Sequence, residues 1–137
     1  MIMESPSLPP LQGLRLLVAE DNEITLCVLQ EILEGEGARV TGVGDGEQAL
    51  AVLDTDDDYQ LVLTDLRMPL VDGLTLARRC HQRLPGVPVV GLTVERLPET
   101  CAQAEEAGMV ELLEKPPDID ALVAAVLRHA RWPGTDD

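Results

Sequence analysis

LVLTDLRMPLVDG (61–73) opens as a short apolar strand, stops at Asp65, and then offers only turn chemistry, with Pro69, Asp72 and Gly73, before helical periodicity resumes at Leu74. Strand, turn and helix in that order form one unit, and the unit recurs along the chain. LRLLVA (14–19), RVTGV (39–43), VPVVGL (87–92) and VELL (110–113) are apolar runs bounded by Gly, Pro, Asp or Glu, and with LVLT (61–64) they predict five strands. Helical patterns lie at 23–34, 46–54, 74–84, 98–107 and 118–131. The last is the clearest: Ile119, Leu122, Val123, Val126, Leu127 and Ala130 form one apolar stripe, with Asp118 placed to cap it. Near-continuous apolar strands alternating with helices predict an α/β fold, a parallel sheet covered on both faces.

The chain of 137 residues suits one domain, expected over 14–131, with a Pro/Ser-rich linker at 1–13 and a polar tail at 132–137. Lys+Arg 10 against Asp+Glu 25 gives a net charge of −15, which repels phosphate backbones and anionic lipid and excludes nucleic acid and direct membrane contact. No apolar run approaches the roughly 20 residues of a membrane span, and MIMESPSLPP lacks the basic start and apolar centre of a signal peptide, so a cytoplasmic location is expected. Cys27, Cys80 and Cys101 are odd in number and widely spaced inside helical patterns, which predicts buried free thiols. With no Phe, one Tyr and one Trp, the core is expected to be Leu, Val, Ile and Ala.

In a sheet of this class, ligands bind beyond the carboxyl ends of the strands. The residues at those ends are Glu20 and Asp21 after the first strand, Asp65 after the third, Thr93 after the fourth, and Lys115 with Pro116 after the fifth. Three carboxylates on one rim repel, so they raise a pKa or hold a cation. Carboxylate oxygens without thiol or clustered imidazole favour magnesium. Magnesium beside a free carboxylate suggests phosphoryl transfer: Asp65 attacks in line, the cation and Lys115 neutralise the equatorial oxygens, and the Thr93 hydroxyl bonds one of them. Acids at strand ends are also common helix caps, and Asp21 is placed to cap the helix that follows it.

At these residues the chain resembles the response-regulator receiver domain of two-component signalling, over roughly 15–131. The resemblance rests on Glu20 with Asp21, on Asp65 followed by MPLVDG, on Thr93, and on Lys115 with Pro116. It implies a doubly wound, flavodoxin-like five-stranded sheet of order 2-1-3-4-5 with five helices. It also implies that Asp65 accepts a phosphoryl group from a histidine in a magnesium-dependent phosphorelay. Asp21, Asp65 and the backbone carbonyl of Arg67 would then ligate the metal, and Glu20 would act through water. The implied partner is a histidine kinase core or a histidine phosphotransfer domain. EDNEI (20–24) and AGM (107–109) look like receivers attached to hybrid sensor histidine kinases, the alternative being a stand-alone single-domain regulator. Two positions depart from the family pattern: Val94 stands where a small residue is usual, and Leu112 where Tyr or Phe is usual.

An aspartyl-phosphate phosphatase of the haloacid dehalogenase kind would need a second Asp two residues after the nucleophile, where this chain has Arg67. A partner-binding pseudo-receiver is disfavoured by the intact Asp65, Thr93 and Lys115. Other motifs are weaker: GVGDG (42–46) puts Glu47 where a dinucleotide loop needs its last Gly. DTDDD (54–58) lacks the spacing of a calcium loop and is expected to be a solvated connection. His81 and His129 lie in Arg-rich helical stretches and are expected at the surface.

Overall fold

A computed structural model of the chain describes residues 8–132. Five strands alternate with five helices: β1 Arg15–Ala19, α1 Glu23–Gly35, β2 Arg39–Val43, α2 Gly46–Thr55, β3 Leu61–Asp65, α3 Gly73–Arg83, β4 Val89–Thr93, α4 Pro98–Glu106, β5 Glu111–Glu114 and α5 Ile119–His129. The strands form one parallel sheet in the order β2-β1-β3-β4-β5, as the resemblance implies. No helix among the described residues is long and apolar enough to cross a membrane.

Side-chain alternation along the strands sorts the core into two layers. Leu17, Ala19, Val62 and Val89 pack with Leu50, Leu53, Leu76, Ala77 and Ala104, which places α2, α3 and α4 on one face. Leu16, Val18, Leu61, Leu63, Val90 and Leu92 pack with Leu29, Leu33, Leu122 and Val126, which places α1 and α5 on the other. Strands buried on both sides explain the absence of a polar alternation in their sequences.

The expected core composition needs one correction. Isoleucine contributes no fully buried side chain among the described residues, since Ile24 and Ile119 are exposed and Ile32 is half-buried. Tyr59, Cys80 and Met109 are buried instead. The thiols differ from expectation too: Cys80 is buried and its pKa is pushed up to about 11 by loss of water, but Cys101 is half-buried and Cys27 exposed. Cys27 falls outside the α1 stripe, whose buried residues are Leu29 and Leu33.

Part of the expected N-terminal linker is built into the domain: Leu11 is fully buried, and its N–H donates to the Glu36 carbonyl at 2.8 Å. Residues 1–7 of that linker and 133–137 of the expected tail lie outside the described residues. Helix α5 ends at His129 rather than at 131, because Arg131 turns back to bond the Tyr59 and Asp57 carbonyls at 3.0 and 2.8 Å. The acidic run 54–58 is tied down by arginines, with Asp54 bonded to Arg83 at 2.7 Å and Asp56 paired with Arg15.

Candidate functional site

Parallel pairing brings the carboxyl ends of β1, β3, β4 and β5 to one edge. Ala19 sits opposite Thr64, which sets Glu20 beside Asp65, and Thr93 sits opposite Glu114, which sets Lys115 across from both. A hydrogen bond from the Lys115 N–H to the Thr93 carbonyl, 2.7 Å, fixes the last of these positions. The peptide bond between Lys115 and Pro116 is cis.

Four predicted groups meet there. Carboxylate oxygens of Glu20, Asp21 and Asp65 lie within 4.8 Å of one another. The Lys115 ammonium is 2.7 Å from Glu20 Oε1 and 3.1 Å from Asp65 Oδ2. The remaining oxygens take backbone donors: Asn22 N–H donates to Glu20 Oε2 at 3.1 Å, and Arg67 N–H to Asp65 Oδ1 at 3.3 Å. Glu20 is 1% exposed and Asp65 8%, whereas Asp21 faces solvent.

Burial dominates the electrostatics of Glu20. Loss of water pushes its pKa up, Asp65 adds to this, and the nearby Lys115 ammonium and the bond from Asn22 N–H only partly offset it. For Lys115 burial opposes the charge, but the Glu20 and Asp65 carboxylates beside it outweigh this and hold the ammonium above its ordinary range.

The competing role of Asp21 as a cap is answered by its neighbour. Asn22 is the N-cap of α1, its side chain accepting from Thr25 N–H at 2.9 Å, so Asp21 keeps its carboxylate for the cluster. The sequence allows either residue as the cap, since Asn and Asp serve about equally well. Asp45, Asp72 and Asp118 cap α2, α3 and α5. Asp45 therefore explains GVGDG as a helix start, and Gly46 there is required by packing, because a Cβ would meet the Val71 carbonyl oxygen at 2.1 Å.

Thr93 is brought to the same cleft as Asp65, with its hydroxyl turned to another partner. Its hydroxyl donates to the Glu95 carbonyl at 3.2 Å. That cleft, of about 170 Å³, is lined by Asp65, Arg67, Thr93, Val94, Glu95 and Thr100. Arg67 and Glu95 share it, and no ion pair between them is formed among the described residues. Val94, 72% exposed, also walls a second groove of about 440 Å³ with Ile24, Val28, Lys115 and Pro116. The sequence did not reveal this groove, because its lining comes from α1 and two separate strand ends. Of the histidines, His81 is exposed as expected. His129 is half-buried, with Nε2 2.7 Å from Glu111 Oε1.

The donor set fits a hard divalent cation. Glu20 Oε1 is buried and, although close to Lys115, has no hydrogen bond of good geometry, so it retains a lone pair for a ligand. Three carboxylates against one ammonium leave two negative charges when all are ionised, and every donor is an oxygen.

Comparison with known proteins agrees with the geometry. The response regulator receiver domain model matches residues 16–127. Sensor protein TorS of Escherichia coli (strain K12) is 35% identical over 106 residues, covering 77% of this chain and 12% of TorS. Sensory/regulatory protein RpfC of Xanthomonas campestris pv. campestris is 36% identical over 109 residues, covering 77% of this chain and 15% of RpfC. The chain thus spans a small part of these relatives. Among solved structures, the receiver domain of sensor histidine kinase PA1611 from Pseudomonas aeruginosa PAO1, described with a magnesium ion coordinated in its active site cleft, superposes with a TM-score of 0.78 at 32% identity. The match covers 85% of this chain and 97% of that one.

Proposed function

The chain belongs to the response regulator receiver domain family, and we propose that it accepts a phosphoryl group from a histidine onto Asp65 in a magnesium-dependent step of a two-component phosphorelay. The observation that carries this reading is the joint grip of Lys115 on Asp65 and Glu20 at a strand-end rim where Asp21 completes an acidic cluster.

Asp65 is the nucleophile. Arg67 N–H on Oδ1 orients the carboxylate, and the other oxygen attacks phosphorus, forming an O–P bond as the N–P bond to imidazole breaks. The Lys115 ammonium neutralises charge on the phosphoryl oxygens, and the Thr93 hydroxyl supplies a further donor once it turns from the Glu95 carbonyl. Glu20, Asp21, Asp65 and the backbone carbonyl of Arg67 would hold magnesium, which when bound supplies further positive charge to those oxygens.

The donor is a histidine kinase core or a histidine phosphotransfer domain, and the parent chain is a hybrid sensor histidine kinase working in the cytoplasm. Similarity to TorS and RpfC supports that parentage. The exposed Ile24, Val28, Val94 and Ile119 support the docking of an apolar helical surface beside α1.

Incubation with magnesium and a small acyl-phosphate donor, read by intact mass, tests the assignment. One phosphoryl adduct is expected on the native chain and none on Asp65→Asn. An adduct retained by Asp65→Asn removes Asp65 from the role, and continuous release of phosphate points to a phosphatase instead.

A further inference from the structure

Thr64 precedes Asp65 on β3 and is wholly buried. Its hydroxyl donates to the Asp65 carbonyl at 2.9 Å and lies 3.9 Å from Met68 Sδ. A hydroxyl carries one proton and a thioether is a weak acceptor, so the bond belongs to the carbonyl. That carbonyl stands where the sheet can no longer serve it. The Leu66 N–H, at the other end of the same peptide, donates to Leu92 of β4 at 3.1 Å, so in a planar trans unit the Asp65 carbonyl is turned toward β1. The β1–β3 register ends one residue earlier, with Ala19 opposite Thr64. Gly73 closes in on the same oxygen, where a Cβ would come within 2.1 Å. An enclosed carbonyl without a donor is costly, and the Thr64 hydroxyl supplies one from the neighbouring residue.

The Asp65–Leu66 peptide is thus held at both ends, by Thr64 and by Leu92. The loop 66–72 departs from this peptide, and the loop carries the Arg67 N–H that donates to Asp65 Oδ1 at 3.3 Å. We propose that Thr64 is a positioning residue for phosphoryl transfer: by fixing the Asp65–Leu66 peptide, its hydroxyl aims the Asp65 carboxylate and the Arg67 backbone that orients it. This rests on the reading of Asp65 as the phospho-acceptor. Thr64 is buried beneath the rim and acts only through that peptide. Val has nearly the shape of Thr but no hydroxyl, so Thr64→Val frees the carbonyl end of the peptide while keeping the packing. Rotation of the freed peptide displaces the attacking oxygen, and a misplacement of about 1 Å can cost on the order of a hundredfold in rate.

The test is the rate of acyl-phosphate labelling at saturating Mg2+, read by intact mass well below the melting temperature, in the native chain, Thr64→Val and Thr64→Ser. Melting temperatures and the backbone amide shift of Arg67 are measured alongside. Thr64→Val is expected to label on the order of tenfold more slowly and to shift the Arg67 amide. Thr64→Ser keeps the hydroxyl and loses the methyl, and is expected to label close to the native rate although it melts lower. Leu53→Val loosens the core under α2, away from the rim, and is expected to melt lower while labelling at the native rate. Thr64→Ala replaces Thr64→Val if the latter does not fold. Native-rate labelling by the folded variant without the hydroxyl overturns the proposal while leaving the Asp65 assignment standing, and so does equal slowing of Thr64→Ser or Leu53→Val. Absence of an adduct on the native chain overturns the Asp65 assignment and this proposal together.

Discussion

Gly73 shows how closely the backbone is packed behind the Asp65 carboxylate. A Cβ there would sit 2.1 Å from the carbonyl oxygen of Asp65, and the Gly73 N–H donates to the Leu66 carbonyl at 2.9 Å. The backbone cannot yield to that contact without pulling α3 away from the end of β3. Gly73→Ala is expected to cost about 2 kcal/mol or more in urea denaturation and to slow acyl-phosphate labelling, because Asp65 moves with its carbonyl. Full stability in that variant would show that the junction is looser than described. The adjacent pair Asp21 and Asn22 separates capping from ligation. Asn22→Ala should lose about 1 kcal/mol of stability, while Asp21→Ala should be near neutral without cation and weaken Mg2+ binding. The reverse pattern would return Asp21 to a structural role. That Glu20, Asp21, Asp65, Thr93 and Lys115 share a rim was legible in the sequence, because each follows an apolar run and a parallel sheet gathers such ends. Which member of an adjacent pair caps a helix was not legible, since both residue types serve and only the local φ and ψ decide. Nor was the closer approach of Lys115 to Glu20, 2.7 Å, than to Asp65, 3.1 Å, which depends on side-chain conformation across three strands.

The elements were readable in proportion to how one-sided they are. Helix α5 keeps Leu122, Ala125 and Val126 on one buried stripe, and its periodicity placed it well. Helix α1 exposes Ile24, Cys27 and Val28 as well as burying Leu29 and Leu33, so its sequence alone does not tell core from surface. The end of α5 was misplaced because Arg131 leaves the helix for carbonyls near β3, a contact far away in sequence. The same helix end is anchored to β5 by Glu111, which takes Arg128 at 2.8 Å and His129 at 2.7 Å. Burial pushes the Glu111 pKa up, but Arg128 and His129 more than reverse this, and the net shift is downward from the ordinary 4.5. A lowered pKa in the folded state means the stabilisation is present above about pH 4.5 and lost as pH falls through the folded value. With Arg128 more than half exposed the pair is screened, so Glu111→Gln is expected to cost only about 0.5 kcal/mol at neutral pH. It should also flatten the loss of stability measured between pH 5 and 3. An acid profile unchanged by the substitution would assign that loss to other carboxylates.

At the scale of the whole molecule the open question is how far a change at Asp65 travels. In the receivers this chain resembles, the β4 hydroxyl moves inward on phosphorylation and an aromatic on β5 follows it, altering the α4–β5–α5 face. Here Leu112 occupies the aromatic position, is 6% exposed, and pairs across the sheet with Gly91. A Cβ built on Gly91 would lie 2.6 Å from Met109 Sδ and 2.9 Å from Leu112 Cδ1, so those two side chains already fill the space above the strand that leads to Thr93. Leu112 thus has no exposed ring to withdraw, and over Gly91 it is packed beside Met109. The cleft of about 540 Å³ between α4 and β5, lined by Cys101, Glu105, Met109 and Leu112, is expected to keep its shape in both states. For the docking proposed above, by α1 and the strand ends, a partner that needs only to present a histidine at the rim would be indifferent to that. Beryllofluoride with Mg2+ should therefore shift backbone amide resonances at Asp65, Thr93 and Lys115 strongly, and those across 98–113 weakly. Leu112→Tyr supplies a ring at the same position and should enlarge the response of 98–113 if the absence of an aromatic is the cause. Large shifts across 98–113 in the native chain would mean that α4 moves without an aromatic lever, and the face between α4 and α5 would then be the place to look for output.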